Sequence, residues 1–304
     1  MSIGSIIGVV LITASALAAT PGQEAVPAAV GQLTDIKTRA EAIVAIDRNV
    51  RGDDASTAAI ADAFRLVQDR ELEPSLLAGY DTRTLEVLFD AVRIAADRLQ
   101  RTDKLQALED IFEECVRRGF VGHMDEDLYA RFVYQRQWQK ARKLYERFPS
   151  KDRELPNIVE PAAPREGVPS VYMVSKDGGT LNYKPVDLTR PIIVSVVAPG
   201  CHFSNDLVRR IEADPKLVAL FRDHAINIDP SPFQLRTAEL ARVNREGRFF
   251  YAVLYRAADW RGFDFSSTPQ FYFVKGGEIV HRLRGVNPDE FPAKLMEGLA
   301  KIGL

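Results

Sequence analysis

The sequence predicts a protein of two folded parts, an all-α N-terminal part and an α/β C-terminal part. From residue 33 to 148 apolar residues recur at helical spacing almost without interruption, whereas after residue 170 short β-branched runs alternate with helical segments. The stretch 149–169 contains five prolines among charged residues and is predicted to be a domain linker. A chain of 304 residues is long enough for two domains and at least one substantial core.

The first 18 residues have the pattern of a secretory signal peptide. An apolar run from Ile3 to Ala19 ends in small residues at an A-x-A spacing, and the first basic residue is Lys37. We therefore expect cleavage near Ala18, an exported protein, and no membrane span after cleavage. The alternative is an uncleaved segment that anchors the protein to the membrane, for which the run is slightly short. Residues 19–32, rich in Ala, Pro and Gly, are predicted to form a flexible tether.

The composition narrows the classes of partner. Basic and acidic residues number 40 and 42, and a net charge of -2 gives no reason to expect nucleic acid or an anionic membrane surface. Two cysteines in so long a chain do not form a disulfide framework, and no Cys/His cluster has metal-ligand spacing. We therefore expect neither a metal nor a cofactor.

Residues 33–148 are predicted to form a stack of helical hairpins. Helices are expected over Thr57–Arg70, from an Asp81 N-cap to Leu99, over Lys104–Arg118, from Asp125 onward, and over Gln137–Phe148. A shift of 34 residues places Ile94 on Leu128 and Ala107 on Ala141, and this is the period of tetratricopeptide repeats, one of which residues 128–149 resemble. A concave surface for a peptide or partner protein and a helical domain without a binding role remain equally open.

The C-terminal part is predicted to be an α/β sandwich. The expected strands are Val171–Val174, Leu181–Tyr183, Ile192–Val197, Ala225–Ile228, Phe249–Tyr255, Gln270–Val274 and Glu278–Leu283. The expected helices run from Cys201 to about Phe221, over Leu235–Asn244, and from Asp289 onward. A parallel pair with a crossover helix, followed by a hairpin and a covering helix, indicates this architecture.

Cys201 lies where the buried strand 192–197 meets the following helix. A helix N-terminus presents backbone N–H groups and the positive end of the helix dipole, which stabilises a thiolate and lowers the pKa of the thiol. Ser204, one turn along, is placed to hydrogen-bond the thiolate, and His202 would add charge-dependent stabilisation. Cys115 shares an apolar stripe with Ile111 and is predicted to be packed.

Residues 170–304 contain three motifs in a set order. The buried strand ends at C-H-F-S (residues 201–204), S-T-P (267–269) precedes an F-Y-F strand, and K-G-G-E-I-V (275–280) forms a closing hairpin. Together they resemble the thioredoxin fold, nearest to the exported thiol–disulfide proteins of bacteria. The resemblance implies a thioredoxin-like domain in a periplasmic or otherwise exported protein. It also implies that Pro269 is cis, faces Cys201 and, with Thr268, pairs with an extended peptide substrate.

Three positions depart from the thioredoxin pattern. Ser204 replaces the second cysteine of C-x-x-C, Ser195 replaces the buried acid, and Gly200 replaces the tryptophan before the first cysteine. A dithiol enzyme resolves its mixed disulfide with the second thiol, so efficient thioredoxin-type reduction is not expected.

Two functions of different classes follow. In the first, Cys201 forms mixed disulfides with exported proteins that bear thiols or disulfides, and an external thiol reductant releases them, as in a monothiol isomerase or a retention factor. In the second, the domain has lost catalysis and serves with the helical part as a protein-binding scaffold. Phe203 beside the cysteine and Trp260 in the aromatic loop before Thr268 are further candidate substrate contacts, with packing as the alternative for that loop.

Three other hypotheses have less support in the sequence. Resolution of Cys201 by Cys115 would require the two domains to dock closely. A monothiol glutaredoxin, whose C-G-F-S holds an iron–sulfur cluster with glutathione, is disfavoured because His202 replaces the glycine and no lysine closely precedes the cysteine. A peroxiredoxin is disfavoured because Ala198 occupies the place of its Thr or Ser.

Overall fold

A computed structural model describes residues 35–50, 53–99, 101–150, 155–230 and 235–304, so the predicted signal peptide and tether lie outside the described ranges. The described residues form eleven α-helices and eight strands, and the chain divides into two compact units between Val121 and Gly122. The first unit is helical, and the second combines helices with a mixed sheet, which confirms the predicted α-helical and α/β architecture at that level. Within these ranges no helix is long and apolar enough to cross a membrane.

The helices of the first unit pack on the apolar faces that the sequence pattern predicted. Its helices are α1 (Ile36–Asn49), α2 (Asp53–Phe64), the single turn α3 (Pro74–Leu77), α4 (Thr82–Arg98) and α5 (Leu105–Arg117). Asp81 is the N-cap of α4, and its carboxylate accepts a hydrogen bond from the Thr84 N–H at 2.7 Å, as predicted. Helices α1 and α4 pack against each other, and Ile43 and Phe89 are fully buried.

The segment after α2 differs from the predicted helix 57–70. The α-helix ends at Phe64, and a 3₁₀ turn follows over Asp69–Leu72. The Glu71 carboxylate in this turn accepts two hydrogen bonds from the buried Arg39 guanidinium, at 2.6 and 3.0 Å, and one from the Gln68 N–H at 2.8 Å. A charge-assisted contact between distant residues therefore overrides the helical periodicity of the local sequence.

The second unit is built on an eight-stranded sheet. Its helices are α6 (Met124–Tyr134), α7 (Trp138–Arg147), α8 (His202–Ala213), α9 (Pro215–His224), α10 (Thr237–Glu246) and α11 (Phe291–Ile302). Its strands are β1 (Asn157–Val159), β2 (Ser170–Val174), β3 (Thr180–Pro185), β4 (Ile192–Val196), β5 (Ala225–Asp229), β6 (Tyr251–Leu254), β7 (Gln270–Lys275) and β8 (Glu278–Arg284). The strand order is β1-β3-β2-β6-β5-β4-β7-β8. The predicted hairpins β2–β3 and β7–β8 are antiparallel, and β4, β5 and β6 are parallel.

The position of β4 determines where Cys201 lies. All five residues of β4 are buried, as a strand covered on both faces requires. The connection from β4 to the parallel strand β5 passes through α8 and α9, so the turn between β4 and α8 lies at the carboxyl edge of the central strands. The single helix predicted from Cys201 to Phe221 is two helices, because Asp214 caps α9 and Pro215 starts it.

Helices α6 and α7 belong to the second unit, whereas the sequence prediction grouped them with the helical part. Arg136, in the left-handed turn between them (φ 59°), donates from Nε to the Tyr255 carbonyl at 2.7 Å and from Nη2 to the Leu254 carbonyl. Its guanidinium lies 5.3 Å from the ring centroid of Trp138 and 5.6 Å from that of Tyr172. The Trp138 indole donates to the Tyr172 hydroxyl at 3.0 Å. These contacts attach the α6–α7 hairpin to β2 and β6.

The proline-rich segment 149–169 is partly structured. Strand β1 within it pairs in parallel with β3, with Ile158 opposite Leu181. It has three residues and lies at the edge of the sheet, where prolines before and after a strand are tolerated. The segment predicted to be a domain linker thus contributes an edge strand to the sheet of the second unit.

Candidate active site

A tight turn connects β4 to α8. The Val197 N–H donates to the Ile228 carbonyl at 2.9 Å, and the Cys201 N–H donates to the Ala198 carbonyl at 3.1 Å, which closes the turn. Gly200 has φ 88°, a left-handed conformation that glycine adopts without strain. A tryptophan at this position, as in the thioredoxin pattern, would be strained in this turn.

Cys201 is the N-cap residue of α8 and lies beside the Thr268–Pro269 peptide. Its carbonyl accepts the Asn205 N–H at 2.9 Å, and its side chain is partly exposed. The Sγ atom donates to the Thr268 carbonyl at 3.9 Å, and the Thr268–Pro269 peptide bond is cis. The structure thus brings together the cysteine and the S-T-P motif, which are far apart in the sequence, as the resemblance implied.

The pKa of the Cys201 thiol lies below that of an unperturbed cysteine. Partial burial disfavours the thiolate, but hydrogen bonds from the Thr268 and Ser204 side chains and from the Ser204 and Phe203 N–H groups outweigh it and lower the pKa. Because the thiolate is the nucleophilic form, these donors increase its population near neutral pH.

Ser204 and Ser195 are both buried serines, but their hydroxyls have different partners. The Ser204 hydroxyl accepts a hydrogen bond from the Ala198 N–H at 3.3 Å and also contributes to the lowered pKa of Cys201, so it links the turn to the nucleophile. Ser195 on β4 is 0% exposed, and its Oγ has no hydrogen-bond partner among the described residues. At the position of the buried acid, the sheet therefore carries a neutral hydroxyl.

His202 and Phe203 begin α8, and both side chains are exposed. The His202 Nε2 lies 3.3 Å from the Asp206 carboxylate, and its ring meets the Phe203 ring edge-on at a centroid distance of 5.7 Å. Phe203 is 66% exposed. The predicted site therefore has an accessible aromatic ring two residues after Cys201, and its imidazole has a carboxylate partner on the same helix.

Trp260, predicted to contact substrate, is instead a core residue. Its side chain is 2% exposed, and its indole N–H donates to the Ser170 carbonyl at 3.3 Å. The ring meets those of Phe263 and Phe265 edge-on at 5.3 and 5.7 Å. Packing, the alternative considered for this loop, is what the structure shows for Trp260, because a substrate has no access to a side chain enclosed in this way.

Arg236 contacts the active-site turn, and the sequence did not single it out. It is the N-cap residue of α10, and its Nη2 donates to the Pro199 carbonyl at 3.2 Å. Its Nη1 lies 3.4 Å from the Glu239 carboxylate. No sequence motif marks this residue, since only the fold places the start of α10 beside the turn before Cys201.

Cys115 has the packed role that the sequence predicted. It lies on the buried face of α5 and is 0% exposed, and burial raises the pKa of its thiol to about 11. Both cysteines are free. Among the described residues no three His, Cys, Asp or Glu side chains are grouped as metal ligands.

No protein family, curated protein or solved structure matches this chain.

Proposed function

We propose that this protein is an exported thiol–disulfide exchange protein that acts through the single thiol of Cys201. The observation that carries the proposal is a partly exposed sulfur at a helix N-cap, beside the cis Thr268–Pro269 peptide, with hydrogen-bond donors that lower the pKa of the thiol. Those are the conditions that make a cysteine reactive rather than inert. Substrates are proteins that bear thiols or disulfides.

A thioredoxin-like domain over residues 170–304 is part of the proposal. Its support is the strand series β6-β5-β4-β7-β8, in which the first three strands are parallel and the last two form an antiparallel hairpin. Further support comes from a cysteine directly after the central strand and a cis proline opposite it.

The reaction follows from the presence of one thiol. The Cys201 thiolate attacks one sulfur of a substrate disulfide, a new S–S bond forms as the old one breaks, and the second substrate sulfur leaves as a thiolate that takes a proton from water. A different thiol of the same substrate then attacks the mixed disulfide and releases Cys201. The two steps together isomerise the disulfides of the substrate without net oxidation. Where the substrate has no such thiol, an external thiol reductant performs the release.

The substrate-binding surface is proposed to combine main-chain and aromatic contacts. The Thr268 carbonyl lies beside the sulfur and is placed to accept a hydrogen bond from an extended peptide. The exposed Phe203 ring offers apolar contact area next to the cysteine. Hydrogen bonds to the main chain of the substrate do not depend on its side chains, so this surface would accept substrates of many sequences.

Protein binding without catalysis is the second candidate. It is favoured by Ser195, a buried hydroxyl at the position where a dithiol enzyme has an acid to accept a proton. In this function Cys201 is a packed residue and the domain is a scaffold that works with the helical unit.

Trapping of mixed disulfides distinguishes the two functions. The purified protein is incubated with scrambled ribonuclease and reduced glutathione, and the products are followed by intact mass without reductant and by recovered nuclease activity. We expect a mixed disulfide and recovered activity, both lost in Cys201→Ala and both kept in Cys115→Ala. Ser204→Cys, which restores a second thiol one turn along α8, is expected to reduce the trapped species. Absence of both signals from the unmodified protein would leave the scaffold function.

A further inference from the structure

The Arg236 guanidinium packs on the turn directly before Cys201. Its Nη2 donates to the Pro199 carbonyl at 3.2 Å. A Cβ placed on Gly200 would lie 3.4 Å from the Nη1 atom, so the guanidinium also covers the glycine. Both contacts come from α10, which lies between β5 and β6 in the chain. A helix outside the strand–turn–helix segment thus contributes to the geometry of that segment.

Two residues of the turn, Pro199 and Gly200, limit how far the turn can be restrained by its own hydrogen bonds. Pro199 has no N–H to donate, and Gly200 loses more conformational freedom on folding than any other residue would. The turn is closed internally by the Cys201 N–H to Ala198 carbonyl hydrogen bond of 3.1 Å. A charged donor on the Pro199 carbonyl restrains the peptide that precedes Gly200, and hydrogen bonds from charged donors are the stronger ones.

The position of Cys201 relative to α8 determines how well its thiolate is stabilised. The sulfur depends on the N–H groups of Phe203 and Ser204 and on the side chains of Ser204 and Thr268. Hydrogen bonds weaken steeply when donor and acceptor are misaligned. A turn that moves freely would carry Cys201 out of this alignment, even with every donor still present.

We expect geometry rather than charge to be the main contribution of Arg236. The Glu239 carboxylate lies 3.4 Å from its Nη1 and offsets the positive charge. On α8, the titratable neighbours of the turn are His202 and Asp206, whose side chains lie 3.3 Å apart. The planar guanidinium donates to Pro199 while lying on Gly200, and a lysine ammonium has no such plane.

We propose that Arg236 is a positioning residue for Cys201: it holds the Ala198–Cys201 turn so that the sulfur stays aligned with the N-terminal donors of α8. The inference rests on the proposed function, because it assigns a role in the reactivity of the same thiol. It also gives α10 a part in the reaction, since the helix carries the residue that controls the nucleophile.

The test is the pH dependence of the reaction of Cys201 with an aromatic disulfide, 5,5′-dithiobis(2-nitrobenzoate), in a Cys115→Ala background. In Arg236→Met we expect the midpoint of the rate–pH curve to rise by about one unit, which lowers the thiolate fraction below the midpoint about tenfold. The rate at pH 7 then falls only about threefold, because the more basic thiolate is a better nucleophile. Arg242→Met is the matched control, since Arg242 is on the same helix and pairs with Glu246 at 2.6 Å.

Arg236→Lys separates position from charge. If Arg236 acts by positioning the turn, the midpoint of the rate–pH curve of the lysine variant resembles that of Arg236→Met. The shift in the midpoint is then the same at about 0.05 and 0.5 M NaCl, whereas a shift caused by charge is screened by salt. A lysine variant with the unmodified midpoint, or an Arg236→Met curve that matches the unmodified one, overturns the inference. An unmodified protein whose thiol has an ordinary midpoint overturns the proposed function instead, so the two failures are distinguishable. Circular dichroism of each variant verifies that it is folded.

Discussion

Cys115 and Cys201 are the two thiols of the chain, and their surroundings shift their pKa values in opposite directions. Cys115 is fully buried on α5, where burial raises the pKa to about 11. Cys201 is partly buried too, but four hydrogen-bond contributions at the start of α8 and at Thr268 outweigh burial and lower its pKa. The two sites differ in the degree of burial as well as in their hydrogen-bond donors. The direction of the pKa shift at Cys201 is set by the donors around its sulfur.

The largest expected difference between the two thiols is in their alkylation rates. At pH 7 we expect iodoacetamide to modify Cys201 more than about 100-fold faster than Cys115, because each unit of pKa above the pH lowers the thiolate fraction about tenfold and a buried thiol reacts only after local opening. Peptide mass spectrometry over time measures both rates in one sample. Rates within tenfold of each other would contradict the distinction.

Serine substitution is expected to have opposite effects on stability at the two positions. Cys115→Ser places a hydroxyl in an apolar site and is expected to lower the free energy of unfolding by about 1–3 kcal/mol. Cys201→Ser replaces a thiol, a weak acceptor, with a hydroxyl, which is a preferred acceptor at an N-cap, and is expected to raise the free energy of unfolding by up to about 1 kcal/mol.

Urea unfolding followed by circular dichroism measures both changes. The alanine variants at the same two positions are the controls, since alanine adds neither a buried hydroxyl nor a cap. Destabilisation by both serine substitutions would show that Cys201 is packed in the way that Cys115 is.

A smaller effect is expected from Thr268→Val, which removes a hydroxyl and keeps the shape of the side chain. The Thr268 side chain lowers the pKa of Cys201, so its loss raises that pKa. The alkylation rate increases with pH through the thiol pKa, so the midpoint moves to higher pH and the rate at pH 7 falls by about two- to fourfold. The rate at Cys115 stays unchanged. Thr189→Val, which removes a surface hydroxyl bonded to Asp187, is the control and leaves both rates unchanged.

Local sequence patterns predicted the strand–turn–helix segment around Cys201 and both hairpins of the sheet. Each of these features depends on neighbouring residues: β-branched runs form strands, and glycine pairs form turns. The break at Asp214–Pro215 was missed because apolar residues keep helical spacing across it, although an aspartate followed by proline is a helix-start signal.

Sequence patterns could not predict the contacts of Arg136, Arg236 and Trp260. Arg136 donates to carbonyls of residues 254 and 255, and Arg236 to the carbonyl of residue 199, all far away in the chain. An arginine that binds main-chain carbonyls requires no particular side chain in its partner, so no pair of residue types marks the contact. Trp260 was ambiguous because an aromatic loop has the same composition in a core and in a groove.

The attachment of α6 and α7 to the sheet limits where recombination between genes can divide this protein without exposing its core. Arg136 and Trp138 cover Tyr172 and the end of β6, so a recombination event that joined new sequence at the proline-rich segment would uncover these aromatic rings. It would also remove the guanidinium that donates hydrogen bonds to the carbonyls of residues 254 and 255. A segment that keeps these contacts together with Cys201 therefore starts upstream of the prolines and includes α6 and α7.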